Sequence, residues 1–258
     1  MLDDETCSEL AAELHEALES AEPVEPLTDR YDLTVEDAYR VQNQLIDRRV
    51  SGGAEVVGHK IGLTSEAIQD QFGVNEPDFG HLLDTMMITG NTIPTQSLIE
   101  PMFEAEIGFL LGEDLEGDVN YLDVLSATRA VVPLIEVIDS RVRDWDIELQ
   151  DTVADNASSA FFAIGDQIYD VRDRDLTLES VKILVDGELE VTGVGANVLG
   201  HPARAVAWLA NKVGEMEDTL EAGELVLSGA STESIGLEPG TVIDVKFSSL
   251  GSMTYRVE

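Results

Sequence analysis

The stretch Glu100-Pro101-Met102-Phe103-Glu104-Ala105-Glu106-Ile107-Gly108-Phe109-Leu110-Leu111 decides how this chain folds and where its chemistry sits. Side chains of a β-strand alternate between faces, so Phe103, Ala105 and Ile107 point one way and Glu104 and Glu106 the other. Two carboxylates on one face of a rigid strand are half of a hard-cation site, which needs several oxygens converging on one point. A solvated acidic strand face has the same spacing, so the rest of the chain must choose between the two.

The run Val131-Val132-Pro133-Leu134-Ile135-Glu136-Val137-Ile138-Asp139-Ser140-Arg141 bears on that choice. It reads as a strand in which Glu136 interrupts a nearly continuous apolar stretch. A lone carboxylate there is costly to bury unless it is paired or metal-bound. Asp139 and Arg141 either pair with each other or orient a site.

Acids elsewhere carry less information, because they are everywhere. The 258 residues hold 52 Asp+Glu against 15 Lys+Arg, a formal net charge of -37, and the sequence pI is about 4.1. The acids are spread between apolar positions rather than gathered in a tail, a pattern that suits a folded protein adapted to high salt, where self-repulsion is screened. Nucleic acid and anionic membranes need basic patches and are excluded as partners. Mean hydropathy is -0.02, and no apolar run approaches the ~18 residues of a membrane span. The acidic start Met1-Leu2-Asp3-Asp4-Glu5 argues against a targeting peptide, so a soluble cytoplasmic protein is expected. The one cysteine, Cys7, excludes an intrachain disulfide. Only four lysines remain, Lys60, Lys182, Lys212 and Lys246, which makes each a candidate for a specific role.

Two amphipathic helices are expected in an N-terminal lobe, residues 1–54. One runs from Cys7 to Glu22, with Thr6 and Glu9 as a capping box and Leu10, Leu14 and Leu18 on one face. The other starts at Thr34, boxed by Asp37, and stops at Gly52-Gly53; its Tyr39 and Arg40 could face a site. The remaining residues, 55–258, form the larger domain. There Val56-Val57-Gly58-His59-Lys60-Ile61-Gly62 is a short strand ending in a glycine-flanked lysine, with Thr64 or Ser65 capping a short helix. Asn75 to Leu82 is a turn cluster containing Asp78, Tyr121–Arg129 a helix capped near Asp123, and Asp151 to Ala160 a small-residue loop before the strand Phe161–Gly165. Val181–Val185 and Leu189–Thr192 form a hairpin around Asp186-Gly187, and Pro202 opens a helix reaching Lys212. The strand Leu225–Ala230 and the antiparallel pair Thr241–Phe247 and Met253–Val257 complete the chain. No glycine pattern matches a P-loop or a dinucleotide fingerprint.

Seven ordered motifs carry a family likeness: H-K-I-G-L-T-S (59–65), P-D-F-G (77–80), F-E-A-E-I-G-F-L-L (103–111), E-V-I-D-S-R (136–141), D-T-V-A-D-N-A-S-S (151–159), G-A-N-V-L-G-H-P-A-R-A-V-A-W-L-A-N (195–211) and L-S-G-A (227–230). With them the chain resembles the 2-keto-4-pentenoate hydratase group of the fumarylacetoacetase superfamily. The resemblance implies an α+β fold, a mixed β-sheet roll with a helical N-terminal lobe. It implies a Mg2+ or Mn2+ site on Glu104, Glu106 and Glu136, with Lys60, Asp78 and Glu106 catalytic and the Ile61 amide and Ser159 contacting substrate.

The implied reaction adds water to 2-hydroxypenta-2,4-dienoate, in catabolism of cleaved aromatic rings, by a homo-oligomer. Decarboxylation of 4-oxalocrotonate uses the same metal enolate and is not separated by these motifs. Acylpyruvate C–C hydrolysis needs an activated water, and no His–Glu pair stands out among His15, His59, His81 and His201. A non-catalytic cation-binding protein is the remaining alternative.

Overall fold

An acidic cap starts the first helix. In the computed structural model, which describes residues 1–65, 68–70 and 73–258, α1 (Asp4–Ser20) begins one turn earlier than the sequence suggests. Asp3, not Thr6, is its N-cap, and the Asp3 side chain accepts from the Thr6 amide. A carboxylate there also meets the positive end of the helix dipole, which a threonine hydroxyl does not. Helix α2 (Val35–Ser51) has the expected capping box of Thr34 and Asp37. Arg40 is spent among the N-terminal residues, on Asp37, Asp4 and the Leu2 carbonyl.

Among the described residues twelve strands follow: β1 (Val56–Gly62), β2 (Asp78–Leu83), β3 (Thr92–Ile93), β4 (Met102–Leu111), β5 (Thr128–Ile138), β6 (Ser159–Ile164), β7 (Ser180–Val185), β8 (Glu188–Val194), β9 (Leu225–Ala230), β10 (Ile235–Gly236), β11 (Val242–Phe247) and β12 (Ser252–Val257). They make two sheets. The larger is ordered β2-β1-β9-β4-β5-β6, with β10 also on β4, and the smaller β3-β12-β11-β7-β8. Pairing is antiparallel except for β1 with β9 and β3 with β12, so the curled sheet is mixed.

Three expectations are corrected. Helix α3 (Tyr121–Ala127) is capped by Asn120, with Asp123 as its box partner, and β5 begins at Thr128 because the β-branched run pairs along the whole of β4. Phe79 to Leu82 belong to β2 and not to a turn, since they pair with β1. The first part of the expected Asp151–Ala160 loop is helix α4 (Leu149–Ala154). There Asp151 accepts from the Glu148, Leu27 and Thr28 amides, anchorage that outweighs the weak helix propensity of Thr, Val and Asp. Ser65 Oγ accepts from the Ile68 amide, and residues 68–70 are helical; the rest of the short helix expected there lies outside the described residues. The last helix, α5 (Pro202–Glu215), and the Asp186-Gly187 hairpin stand as expected.

The alternation in β4 is the organising fact. Phe103, Ala105, Ile107 and Phe109 enter the main core with Ile135 and Val137 of β5 and with α1 and α2. On the other face Val132, Leu134, Phe162, Leu225 and Leu227 form a second apolar cluster. A one-residue slip of β4 would drive carboxylates into the first core and expose side chains each worth ~1.5–3 kcal/mol of burial, so the register is fixed. Among the described residues no helix is long and apolar enough to cross a membrane.

Candidate active site

Glu104 and Glu136 are direct cross-strand partners, and Glu106 follows two residues along β4. One carboxylate oxygen of each lies within 4.8 Å of the others. Glu106 and Glu136 are fully buried, while Glu104 is partly exposed. The β4–β9 register shifts between Glu106 and Gly108, and beyond Ala230 the neighbour of β4 becomes β10. That irregularity turns the Gly229 amide onto Glu106 Oε2 at 2.8 Å.

Two further elements close on the triad. Lys60, on β1, is buried; its Nζ lies 3.5 Å from Glu136 Oε2 and donates to the Ala157 carbonyl at 3.0 Å. Asp78 opens β2 opposite Gly62. A Cβ on Gly62 would lie 2.2 Å from Asp78 Oδ1, so only glycine leaves room for that carboxyl. Ser159 Oγ donates to Glu136 Oε1 at 2.7 Å. Ile61 sends its side chain into the core, leaving only its main chain beside Lys60. The structure thus brings all the residues picked from the sequence to one region.

Four carboxyls, of Asp78, Glu104, Glu106 and Glu136, face one ammonium. Burial, with Glu136 beside it, pushes Glu104 up to about 7. Burial and both neighbouring glutamates push Glu106 far above the usual carboxylate range. Burial also raises Glu136 and Asp78, against the pull of Lys60 on each. For Lys60 burial opposes the charge, but Glu136, Asp78, Glu104 and Glu106 outweigh it and lift the pKa. Glu106 Oε1, Glu136 Oε2 and Asp78 Oδ1 are buried without a hydrogen-bond partner. Buried acceptors are rarely left so. Clustered, unsatisfied carboxylate oxygens are the donor set of a hard divalent cation, which would also cancel part of the excess negative charge.

Other candidates fall away. His59 and His81 lie on the opposite face with tilted rings 5.0 Å apart between centres, packed near Phe79. Among the described residues the nearest approach to a His–Glu pair is His59 Nδ1, 3.8 Å from Glu224 Oε2, and it faces away from Lys60. Tyr39 stacks on Phe79. Arg141 pairs with Asp155 rather than Asp139, whose carboxylate accepts from the Ile99 and Glu100 amides. Missed in the sequence were Thr152, which borders Asp78, the Gly229 amide and the Ala157 carbonyl. Main-chain groups carry no residue-type signal, although each sits within one of the seven motifs.

Such a fold and site define a class of small-molecule enzyme-like β-rolls built round a carboxylate triad. Residues 67–258 match the fumarylacetoacetate (FAA) hydrolase C-terminal family, and the chain belongs to it. It is 44% identical over 253 residues to a 2-keto-4-pentenoate hydratase of Paraburkholderia xenovorans, covering 97% of this chain and 94% of that one. To a 2-hydroxypent-2,4-dienoate hydratase of Pseudomonas putida it is 46% identical over 217 residues, 83% of this chain and 98% of the other. The structure superposes on 4-oxalocrotonate decarboxylase of Pseudomonas putida, solved with magnesium and adipate, with a TM-score of 0.98 at 34% identity, covering 100% of this chain and 99% of that one.

Proposed function

We propose that the protein is a divalent-cation-dependent hydratase that converts 2-hydroxypenta-2,4-dienoate and water to 4-hydroxy-2-oxopentanoate. One observation carries the reading: Glu104, Glu106 and Glu136 converge beside Lys60 and Asp78. The hydratase relatives are similar along nearly the whole chain. Glu104, Glu106 and Glu136 would hold a divalent cation, Mg2+ or Mn2+, which when bound would supply Lewis acidity to the substrate.

The remaining chemistry belongs to the chain. Ketonisation takes the proton from the C2 hydroxyl and adds one at C5, leaving a 2-oxo-3-enoate that accepts water at C4 and a proton at C3. The Lys60 ammonium and the Ile61 amide hold the negative charge that develops on the C2 oxygen. Asp78, whose pKa burial raises, passes the protons or orients the water. Glu106 is both ligand and candidate base. Ser159 spends its hydrogen on Glu136 and keeps its lone pairs for substrate.

The decarboxylase likeness favours a second reading on the same site. Against it stands the higher identity to hydratases. Among the described residues Lys60 is the only lysine or arginine within 4.0 Å of the triad carboxylates, and Arg141 is fully engaged by Asp155 and by main-chain carbonyls. The test is the ultraviolet band of the dienoate, with magnesium and with chelator. Loss of the band with every carbon retained supports the hydratase, and carbon dioxide release from 4-oxalocrotonate supports the decarboxylase.

The same reading makes the protein a cytoplasmic homo-oligomer serving aromatic catabolism in a salt-rich cell. Its support is the family and the spread of 52 acids along the chain, and its test is light scattering across a salt series.

A further inference from the structure

Three consecutive residues that are not glycine, Asn156, Ala157 and Ser158, have φ of 55°, 48° and 53°. Left-handed backbone is disfavoured for L-residues and persists in series only where the surroundings impose it. Here they do. Arg141, only 2% exposed, donates from Nε to Asp155 Oδ1, from Nη2 to the Asp155 carbonyl, and from Nη1 to the Asp139 and Ser159 carbonyls. Its own amide donates to Asp155 Oδ2. The far side of the turn is held by Asn156, whose side chain accepts from the His81 amide and donates to the His81 carbonyl. The Asp139 amide bonds the Ser158 carbonyl.

The turn's products are functional groups. It points the Ala157 carbonyl at Lys60 Nζ and delivers Ser159 Oγ to Glu136 Oε1. The one ammonium and one carboxylate of the triad therefore hang on a single strained turn. A Cβ on Gly80 would meet the Asn156 carbonyl at 2.5 Å, so the turn also lies directly on the site strand.

We infer that Arg141 and Asp155 are positioning residues, which clamp the Asn156–Ser158 turn in its left-handed form and thereby fix Lys60 and Glu136. The guanidinium fork matters as geometry, since lysine cannot span the carboxylate and three carbonyls at once. The kinetic arm of the test rests on the hydratase reading; the binding arm does not. Arg141→Lys is expected to lower kcat on the dienoate ten- to a hundredfold with KM within threefold, and to weaken Mn2+ binding, followed by electron paramagnetic resonance, at least fivefold. Adding Ala157→Gly, which eases the left-handed backbone, is expected to recover at least threefold of the lost kcat. Asn156→Gly permits the same backbone but cuts the tether to His81, so it tests the idea if Arg141→Lys does not fold, and kcat and Mn2+ affinity should again fall. Folded Arg141→Lys or Asn156→Gly protein with wild-type kcat and Mn2+ affinity would overturn the inference, as would failure of Ala157→Gly to recover activity. A wild-type enzyme inactive on the dienoate refutes the hydratase reading instead and leaves the Mn2+ arm standing.

Discussion

Replacing Gly62 by alanine tests the geometry around Asp78 with one methyl group. The new Cβ would lie 2.2 Å from Asp78 Oδ1 and 3.5 Å from Lys60 Nζ, where ordinary contact begins at 3.4 Å. Gly62 does not use left-handed backbone, so alanine fits the main chain and only the carboxyl must yield. A retreat of about 1.2 Å is required, and a misplacement of about 1 Å costs on the order of 10²-fold in rate. That equals about 2.7 kcal/mol of transition-state stabilisation. Overpacking costs about 1–3 kcal/mol in stability, so the variant should fold, melt a few degrees lower, and show reduced kcat with a smaller change in KM. Gly214→Ala on α5 is the control: nothing lies within 4 Å of its Cβ, and helix propensity should stabilise it by up to about 1 kcal/mol. Steady-state loss of the dienoate band and thermal melting give both readouts. Gly62→Ala protein with wild-type kcat and melting temperature would show that Asp78 is not needed where it sits.

Lys60→Met should lower kcat by on the order of 10²–10³-fold yet bind Mn2+ at least as tightly, because an ammonium 3.5 Å from Glu136 no longer competes; weaker binding would count against that placement. Burial, with each imidazole opposing the other at His59, depresses His59 to about 3, and burial depresses His81 to about 4, from an ordinary 6.5. Their folded pKa values lie below the unfolded ones, so their contribution to stability is complete above about pH 6.5 and drains away toward pH 3. Urea midpoints should fall across that window, and His59→Phe should flatten the fall. Glu104 has the opposite sign: its folded value of about 7 exceeds the ordinary 4.5, so in chelator stability should drop as pH rises through 7, and Mg2+ should abolish the drop. With a net charge of -37, circular dichroism should show loss of structure on dialysis from molar salt, where the screening length is ~3 Å, to ~10 mM, where it is ~30 Å; an unchanged spectrum would remove the salt-adaptation reading.

Period-2 alternation made β4 legible, because Phe103, Ala105 and Ile107 had to share the face opposite Glu104 and Glu106. Glu136 was legible for a different reason, as a charge in an apolar run that ordinary acid enrichment does not explain. Lys60 stood out through scarcity. What escaped was set by long-range contact. Left-handed backbone at Asn156–Ser158 carries no glycine to announce it, and is imposed by Arg141 and by His81, which lies 75 residues away from Asn156 in the chain. Arg141 choosing Asp155 over Asp139 depends likewise on tertiary placement. The missed cap at Asp3 is local, and shows one acid outcompeting a nearby hydroxyl for the same helix end.

The central claim is that the Glu104–Glu106–Glu136 triad holds the ion that hydration requires. Metal-free protein should be titrated with Mn2+ while bound ion and turnover are followed together, for the wild type and for Glu106→Gln. Wild-type activity should rise from background in step with one tightly bound ion per chain, and Glu106→Gln should lose both tight binding and turnover. Full turnover in the metal-free protein, or a Glu106→Gln variant that binds and turns over as the wild type does, would contradict it.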